Sequence, residues 1–158
     1  MKEKVELRRA KPSDYDEIAR VWHESASLPG VGPPTMPLER DLRVRVDQEM
    51  CGGWSVTLAT QSDRVLGFVA CKPAIAVLDQ LFIRPEAIGL GLGMRLFNQA
   101  RIEMPNGFTL HTAATNKRAR KFYERAGMVV SREGPHPRSG HPVVWYGWPE
   151  APAAGIRE

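Results

Sequence analysis

The sequence predicts one α/β domain of the α+β kind, with a mixed, mainly antiparallel central sheet flanked by helices. Three observations predict this fold. Residues 54–60 and 65–72 are typical of two strands joined by a Ser62-Asp63-Arg64 hairpin turn. Residues 75–84 form a nearly continuous apolar run, which favours a central strand. A glycine-rich turn and a helix then precede the next strand, and such a crossover requires a parallel strand pair.

The first half of the chain contains the following elements. Val5, Leu7 and Ala10 alternate with charged residues and predict the first strand. Apolar residues spaced three and four apart predict an amphipathic helix over residues 14–26, which the preceding polar residues can cap. A Pro/Gly-rich segment ends that helix, and residues 37–50 predict a second, strongly charged helix. The hairpin and the apolar strand follow, and Pro85 ends the strand.

The second half of the chain continues the alternation of helices and strands. A helix begins in the run Gly89-Leu90-Gly91-Leu92-Gly93, and residues 108–112 predict the next strand. Asn116 opens a further helix, which Gly127 caps. Residues 128–132 and 143–148 predict two closing strands joined by loop 134–142. We expect one domain over residues 1–149 and a flexible tail over residues 150–158, which are rich in Pro, Ala and Gly.

Length, charge and composition exclude several classes of protein. A chain of 158 residues is long enough for one domain with a sizeable core. The sequence contains no run of eighteen apolar residues to span a membrane and no apolar leader, so we expect a cytoplasmic protein. Two cysteines form neither a disulfide framework nor a paired zinc motif, so no metal is expected. The net charge of +4 suits a small anionic ligand better than a nucleic acid.

The glycine-rich run that follows the apolar strand predicts an anion-binding loop. Glycine lets the backbone approach a phosphate, and the first turn of a helix offers N–H groups that lack an intrahelical partner. The G-x-G-x-G spacing matches neither the dinucleotide-binding fingerprint nor the Walker A loop. The run by itself is equally consistent with a tight strand-to-helix turn.

A second motif, further along the chain, indicates which kind of protein contains this loop. It runs Asn116-x-x-Ala119-x-x-Phe122-Tyr123-Glu124-x-x-Gly127-Met128. With the loop and the preceding strand that ends in proline, this order and spacing resembles the GNAT-type N-acetyltransferase superfamily. The resemblance covers roughly residues 66–130 in detail and residues 1–148 in element order. It implies an enzyme that takes acetyl-CoA as co-substrate and acetylates a primary amine by direct attack in a ternary complex.

The resemblance also implies where acetyl-CoA binds. The strand at 81–83 would diverge from strand 108–112, and the cofactor would lie in the V between them, with its pyrophosphate on the backbone N–H groups of residues 88–94. The implied cofactor-binding residues are Leu81, Phe82, Ile83, Ile88, Gly89, Leu90, Gly91, Leu92, Gly93, Met94, Asn116 and Arg120.

One position departs from the pattern of the superfamily. Ile88 stands where the family usually carries Arg or Gln, so one cation near the phosphates is missing. We expect weaker cofactor binding for this reason. The residues that could compensate are Arg84, Arg95, Lys117, Arg118, Arg120 and Lys121.

The implied catalytic residues are Tyr123 and Asp79. Tyr123 would protonate the departing thiolate, although its position on the apolar face of its helix also suits a core tyrosine. An alkylammonium has a pKa near ~10, so a general base is useful at neutral pH. Asp79 is the leading candidate, with a structural carboxylate as the open alternative. Strand alternation predicts that Asp79 shares a face with Leu81 and Ile83. Glu24 and His23 are the secondary candidates for the base.

The acceptor pocket would be formed by the first two helices, their connecting loop and the last hairpin. Trp22, His23 and His111 are its candidate substrate-binding residues. Few carboxylates lie there, which favours a small, weakly charged amine over a polycation. The alternatives are an acyl-CoA-binding module without catalysis, acetylation of a protein or peptide amine, and a basic nucleic-acid-binding domain. We expect no nucleic-acid or membrane partner, and a monomer or a homodimer.

Overall fold

The computed structural model describes residues 3–148. The predicted tail over 150–158 and the last residue of the predicted domain lie outside this part of the chain. In order, the elements are β1 (Glu6–Arg9), α1 (Tyr15–Ala26), α2 (Glu39–Cys51), β2 (Ser55–Gln61), β3 (Arg64–Lys72), β4 (Val77–Ile83), α3 (Leu92–Glu103), β5 (Phe108–Ala113), α4 (Lys117–Arg125), β6 (Val129–Pro135) and β7 (Pro142–Trp148).

These strands form one seven-stranded sheet in the order β1-β2-β3-β4-β5-β7-β6. Every neighbouring pair is antiparallel except β4 and β5, which are parallel. The mixed, mainly antiparallel sheet and the parallel crossover predicted from the sequence are therefore confirmed.

Two element boundaries differ from the sequence prediction. The apolar run over 75–84 does not begin as a strand, because Pro73–Ile75 forms a single 3₁₀ turn and Ala76 adopts a left-handed conformation. The last hairpin is longer than predicted, since β6 continues to Pro135, which pairs with Pro142. The connecting loop is thereby shortened to residues 136–141.

Helices cover both faces of the sheet and give the domain two main core clusters. On one face, α3 and α4 bury a cluster that includes Leu96, Phe97 and Tyr146. On the other face, α1 and α2 bury a cluster that includes Trp22 and Trp54. The helices α1 and α2 therefore lie on the opposite side of the sheet from α3 and α4. A site where two strands of the sheet separate can contain residues from both helical layers.

A β-bulge in β4 reverses the side on which Asp79 lies. Ala70 pairs with Gln80 but Cys71 pairs with Leu78, so Asp79 is an extra residue on the β4 side. Its Oδ2 accepts a hydrogen bond from Trp54 Nε1 at 2.8 Å, on the α1 and α2 face. Leu81 and Ile83 pack on the opposite face. The prediction that Asp79 shares a face with them is wrong, because a bulge shifts the strand's two-residue period by one.

Candidate functional site

The strands β4 and β5 open into a V-shaped cleft. Their pairing consists of Val77 opposite Thr109, and they separate beyond it while β5 continues to pair with β7. Arg84 N–H donates to Leu66 O on β3 at 2.8 Å. Because neighbouring residues of a strand direct their backbone groups to opposite edges, the amides of Leu81 and Ile83 face the cleft. The cleft therefore has hydrogen-bonding backbone along one wall, as the expected divergence of the two strands requires.

The glycine-rich loop closes one end of the cleft. Gly89 and Gly91 have φ values of +95° and +80°, a conformation that side chains rarely adopt. Gly91 is the N-cap of α3, so the amides of Leu92, Gly93 and Met94 form a first helical turn without intrahelical acceptors. These amides and the positive end of the helix dipole suit a phosphate.

The first of the amides expected to bind the pyrophosphate, over residues 88–94, is not free. The amide of Ile88 already donates to Pro85 O at 3.4 Å. It therefore contributes its side chain, and not its N–H group, to the site.

A cavity of about 330 Å³ runs from this loop along the cleft. Ten of the twelve predicted cofactor-binding residues line it: Leu81, Phe82, Ile83, Ile88, Gly89, Gly91, Leu92, Gly93, Met94 and Asn116. Leu90 does not line it, because its side chain is turned to solvent and is 64% exposed. Arg120 does not line it either, because its guanidinium donates to Tyr146 Oη and Ala114 O, both at 3.3 Å. Arg118, earlier on the same helix, lines the cavity instead.

The cation closest in sequence to Ile88 is unavailable to the phosphates. Arg84 is buried, donates to Val65 O, and forms ion pairs with Glu17 and Glu24 of α1. Glu24 is thereby engaged as a partner of Arg84. Of the six basic residues expected to compensate for Ile88, Arg118 is the one that lines the cavity.

Asn116 and Tyr123 stand where the cleft meets α4. Asn116 Oδ1 accepts from the amide of Ala119 at 3.2 Å and so caps the helix. The ring of Tyr123 packs against Phe97, Phe122 and Tyr146. Burial raises the pKa of Tyr123 above its usual value, so the phenol stays protonated at neutral pH.

The hydroxyl of Tyr123 differs from the rest of the side chain. Among residues 3–148 it has no hydrogen-bond partner, yet it is not among the polar atoms sealed from solvent. Tyr123 lines the cavity that runs from the glycine-rich loop, which we call the cofactor cavity after its expected ligand. It also lines a second cavity beside it. The hydroxyl is therefore free to donate to a bound molecule.

The second cavity has a volume of about 460 Å³ and lies between α1, α2, β4, β5 and the loop of the last hairpin. Trp22, Asp79 and His111 line it, as expected for the acceptor side. His23 lines neither cavity, so the structure does not place it with the other predicted substrate-binding residues. Besides Tyr123, the two cavities share Val31, Leu81, Phe82, Asn116 and Ala119.

Asp79 is anchored through one of its carboxylate oxygens. Oδ2 accepts from Trp54 and lies 3.7 Å from Lys72 Nζ. Within the described part of the chain no donor is paired with Oδ1. The anchored carboxylate can thus be both a structural group and a proton acceptor toward the cavity.

Aromatic rings stack along the wall that carries His111. The His111 ring lies 5.4 Å from that of His136 and 5.7 Å from that of Trp145. His136 in turn stacks on His141 at 5.1 Å. Partial desolvation lowers the pKa of His111 below its usual value, and repulsion from a protonated His136 would lower it further, so the neutral form of the ring predominates at pH 7.

Residues 3–148 contain no group of three or more His, Cys, Asp or Glu side chains arranged to hold a metal ion. No helix in the same range is both long and apolar enough to cross a bilayer.

Comparison with known proteins identifies the family to which this fold belongs. The model of the Acetyltransferase (GNAT) family matches residues 17–128, and the chain belongs to this family. An uncharacterized N-acetyltransferase of Archaeoglobus fulgidus is 28% identical over 133 residues, covering 75% of this chain and 89% of the relative. The protein is accordingly an N-acetyltransferase of the GNAT family.

Solved structures show the same fold. A GNAT-family chain from Desulfovibrio desulfuricans has a TM-score of 0.74 at 24% identity, covering 91% of this chain and 98% of that one. The structure of yncA from Salmonella typhimurium with its cofactor acetyl-CoA has a TM-score of 0.71 at 12% identity, covering 91% and 92% of the two chains.

The structure identifies individual residues of the acceptor side that sequence reasoning did not name, although most of them lie in the helices and hairpin expected to form it. The second cavity is also lined by Arg45, Glu49, Lys72, His136 and Arg138. They come from α2, from the end of β3 and from the last hairpin loop. No local pattern marks them, because they meet only when the two helical layers and the hairpin surround the split in the sheet.

Proposed function

We propose that the protein transfers the acetyl group of acetyl-CoA to a primary amine of a small acceptor by direct attack in a ternary complex. The observation that carries the proposal is the junction of the two cavities at Tyr123. One cavity ends in a phosphate-binding helix start, and the other has a carboxylate and a neutral histidine on its wall. Two substrates bound in these cavities would meet at the junction without a covalent enzyme intermediate.

The cofactor cavity positions the thioester. The first turn of α3 and the left-handed glycines bind the pyrophosphate, and the cleft edge of β4 binds the arm that follows it. The amides of Leu81 and Ile83 face the cleft and would polarise the thioester carbonyl. Removing one such donor typically costs about 3 kcal/mol of transition-state stabilisation.

Proton transfer is divided between the two walls of the junction. The acceptor ammonium loses a proton to Asp79 Oδ1, directly or through water, and its neutral nitrogen attacks the carbonyl carbon. The carbon–sulfur bond then breaks, and the Tyr123 hydroxyl gives its proton to the departing thiolate. The attacking nitrogen gives its second proton to the Tyr123 oxygen, directly or through water, which leaves the neutral amide, the free thiol of CoA and a protonated tyrosine. His111 would line the path of the acceptor on the Asp79 side.

Thiol release in the presence of a panel of primary amines tests the proposal. We expect release that depends on the amine and an acetylated product detected by mass spectrometry. Tight CoA binding without amine-dependent release would instead identify an acyl-CoA-binding module. Release only with peptides would move the acceptor class to protein amines.

A further inference from the structure

The charged side chains that line the acceptor cavity differ in whether they have a partner of opposite charge within the protein. Glu49 and Asp79 are the carboxylates that line it, and both are engaged with Lys72, at 3.2 and 3.7 Å. Asp79 also accepts from Trp54. The acidic side chains of this cavity therefore have their counter-charge within the protein.

The arginines that line the same cavity have no such partner. Arg45 of α2 is half-buried, and its guanidinium carbon lies 4.9 Å from the ring centroid of Trp22. Arg138 lies in the last hairpin loop. Within residues 3–148, neither arginine has a carboxylate within 4.0 Å, whereas Arg43 on the same helix pairs with Asp16 and Asp47.

A histidine that lines the same cavity adds another donor. His136 Nδ1 accepts from the backbone amides of Arg138 and Ser139, at 3.1 and 3.2 Å. This fixes the proton of the neutral ring on Nε2, which is left as a donor. Burial lowers the pKa of His136, and electrostatic repulsion from nearby groups that include Arg138 and Arg45 lowers it further, so both arginines act on the same ring.

The cavity thus has a proton acceptor, Asp79, on its wall and unpaired cationic donors on α2 and the hairpin loop. On this basis we propose that the amine acceptor also carries an anionic group, a carboxylate or a phosphate, that is bound by Arg45 and Arg138. The inference rests on the proposed acetyl transfer and names its substrate class. A guanidinium presents paired donors that match either anion. Such an acceptor has little net charge, in keeping with the small number of free carboxylates in the cavity.

Matched acceptor pairs test this inference. One series compares α-amino acids with their amides, and the other compares aminoalkyl phosphates with the corresponding amino alcohols. We expect kcat/KM to be at least about tenfold higher for the anionic member of a pair, the range of one charge-assisted hydrogen bond. The series that shows the larger ratio identifies carboxylate or phosphate as the anion.

Charge-removing variants assign the preference to residues. Arg45→Gln and Arg138→Gln should each lower the ratio of kcat/KM for the anionic acceptor to kcat/KM for its neutral counterpart by about tenfold or more. Arg45→Lys should recover part of the loss. Arg40→Gln, an exposed arginine of α2 outside both cavities, removes the same charge and should leave both acceptors unchanged. Arg138→Gln serves alone if loss of the Trp22 contact unfolds the Arg45 variant.

The outcomes separate the two proposals. Equal kcat/KM for the members of each pair in the unaltered protein overturns the anionic acceptor and leaves acetyl transfer standing. A preference that survives in the Arg45→Gln/Arg138→Gln double variant also overturns it. No thiol release with any amine overturns the proposed function, and the inference with it.

Discussion

Replacing Tyr123 with phenylalanine separates its catalytic role from its packing role. The side chain is 7% exposed, and its ring contacts three other aromatic rings that the substitution leaves in place. The hydroxyl has no protein partner within the described residues, so its loss breaks no internal hydrogen bond. We expect a change in unfolding free energy of about 0.5 kcal/mol or less, or roughly 1–2 °C in Tm.

The expected kinetic effect is larger than the effect on stability. General acids contribute up to about 10²–10⁴-fold, but a thiol with a pKa near ~8.5 leaves more easily than an alcohol. We therefore expect kcat to fall by about 10- to 100-fold, or roughly 1.4–2.7 kcal/mol at 1.36 kcal/mol per factor of ten. Because burial raises the pKa of Tyr123, its deprotonation should not limit activity around neutral pH.

The assay is thiol release at saturating acetyl-CoA and amine, with CoA affinity measured by titration calorimetry. Tyr146→Phe is the matched control, because its hydroxyl donates to Glu124 at 2.7 Å and lines neither cavity. That control should lose stability and keep kcat. If kcat of Tyr123→Phe falls by less than about twofold, with Tm unchanged, the general-acid role is refuted and Tyr123 has only a packing role.

Three further predictions concern the cofactor loop and the proton acceptor. Ile88→Arg should lower the Kd for CoA by about 3- to 10-fold by adding a cation beside the phosphates, and calorimetry showing an unchanged or higher Kd would contradict this. Gly91→Ala should cost about 1–2 kcal/mol, because φ is +80°, and should weaken CoA binding. Gly53→Ala, with φ of +113° away from both cavities, should lower Tm alone; equal CoA affinity in both glycine variants would count against the phosphate loop. Asp79→Asn should keep an acceptor for Trp54 and so keep Tm, while kcat/KM falls at least about tenfold; a lower Tm with unchanged kcat/KM would assign Asp79 a structural role.

The elements of the fold could be predicted because their causes are local. The helix over 14–26 follows from the spacing of its apolar residues, and the start of α3 follows from glycines that tolerate positive φ. The parallel crossover follows from a strand, a helix and a strand in succession. Each of these causes operates within one continuous segment of the chain, and the structure confirms the elements that they predict.

Some predictions about the site residues were wrong, and others could not be made, because the contacts that decide them join distant parts of the chain. The face of Asp79 depends on a bulge in the pairing with β3, which one strand's own pattern does not reveal. Arg84 forms ion pairs with Glu17 and Glu24, which lie about sixty residues earlier in the chain.

By itself, the sequence determined the order of strands and helices, the glycine-rich loop at the start of α3 and the position of Tyr123 on α4. The tertiary structure alone decided which charged side chains surround the acceptor. Arg45 and Arg138 are more than ninety residues apart, and they line one cavity because α2 and the last hairpin flank the split between β4 and β5. Local propensities fix periodicity and turns, whereas the neighbours of a charge, and hence its pKa and its ligands, depend on contacts between distant segments.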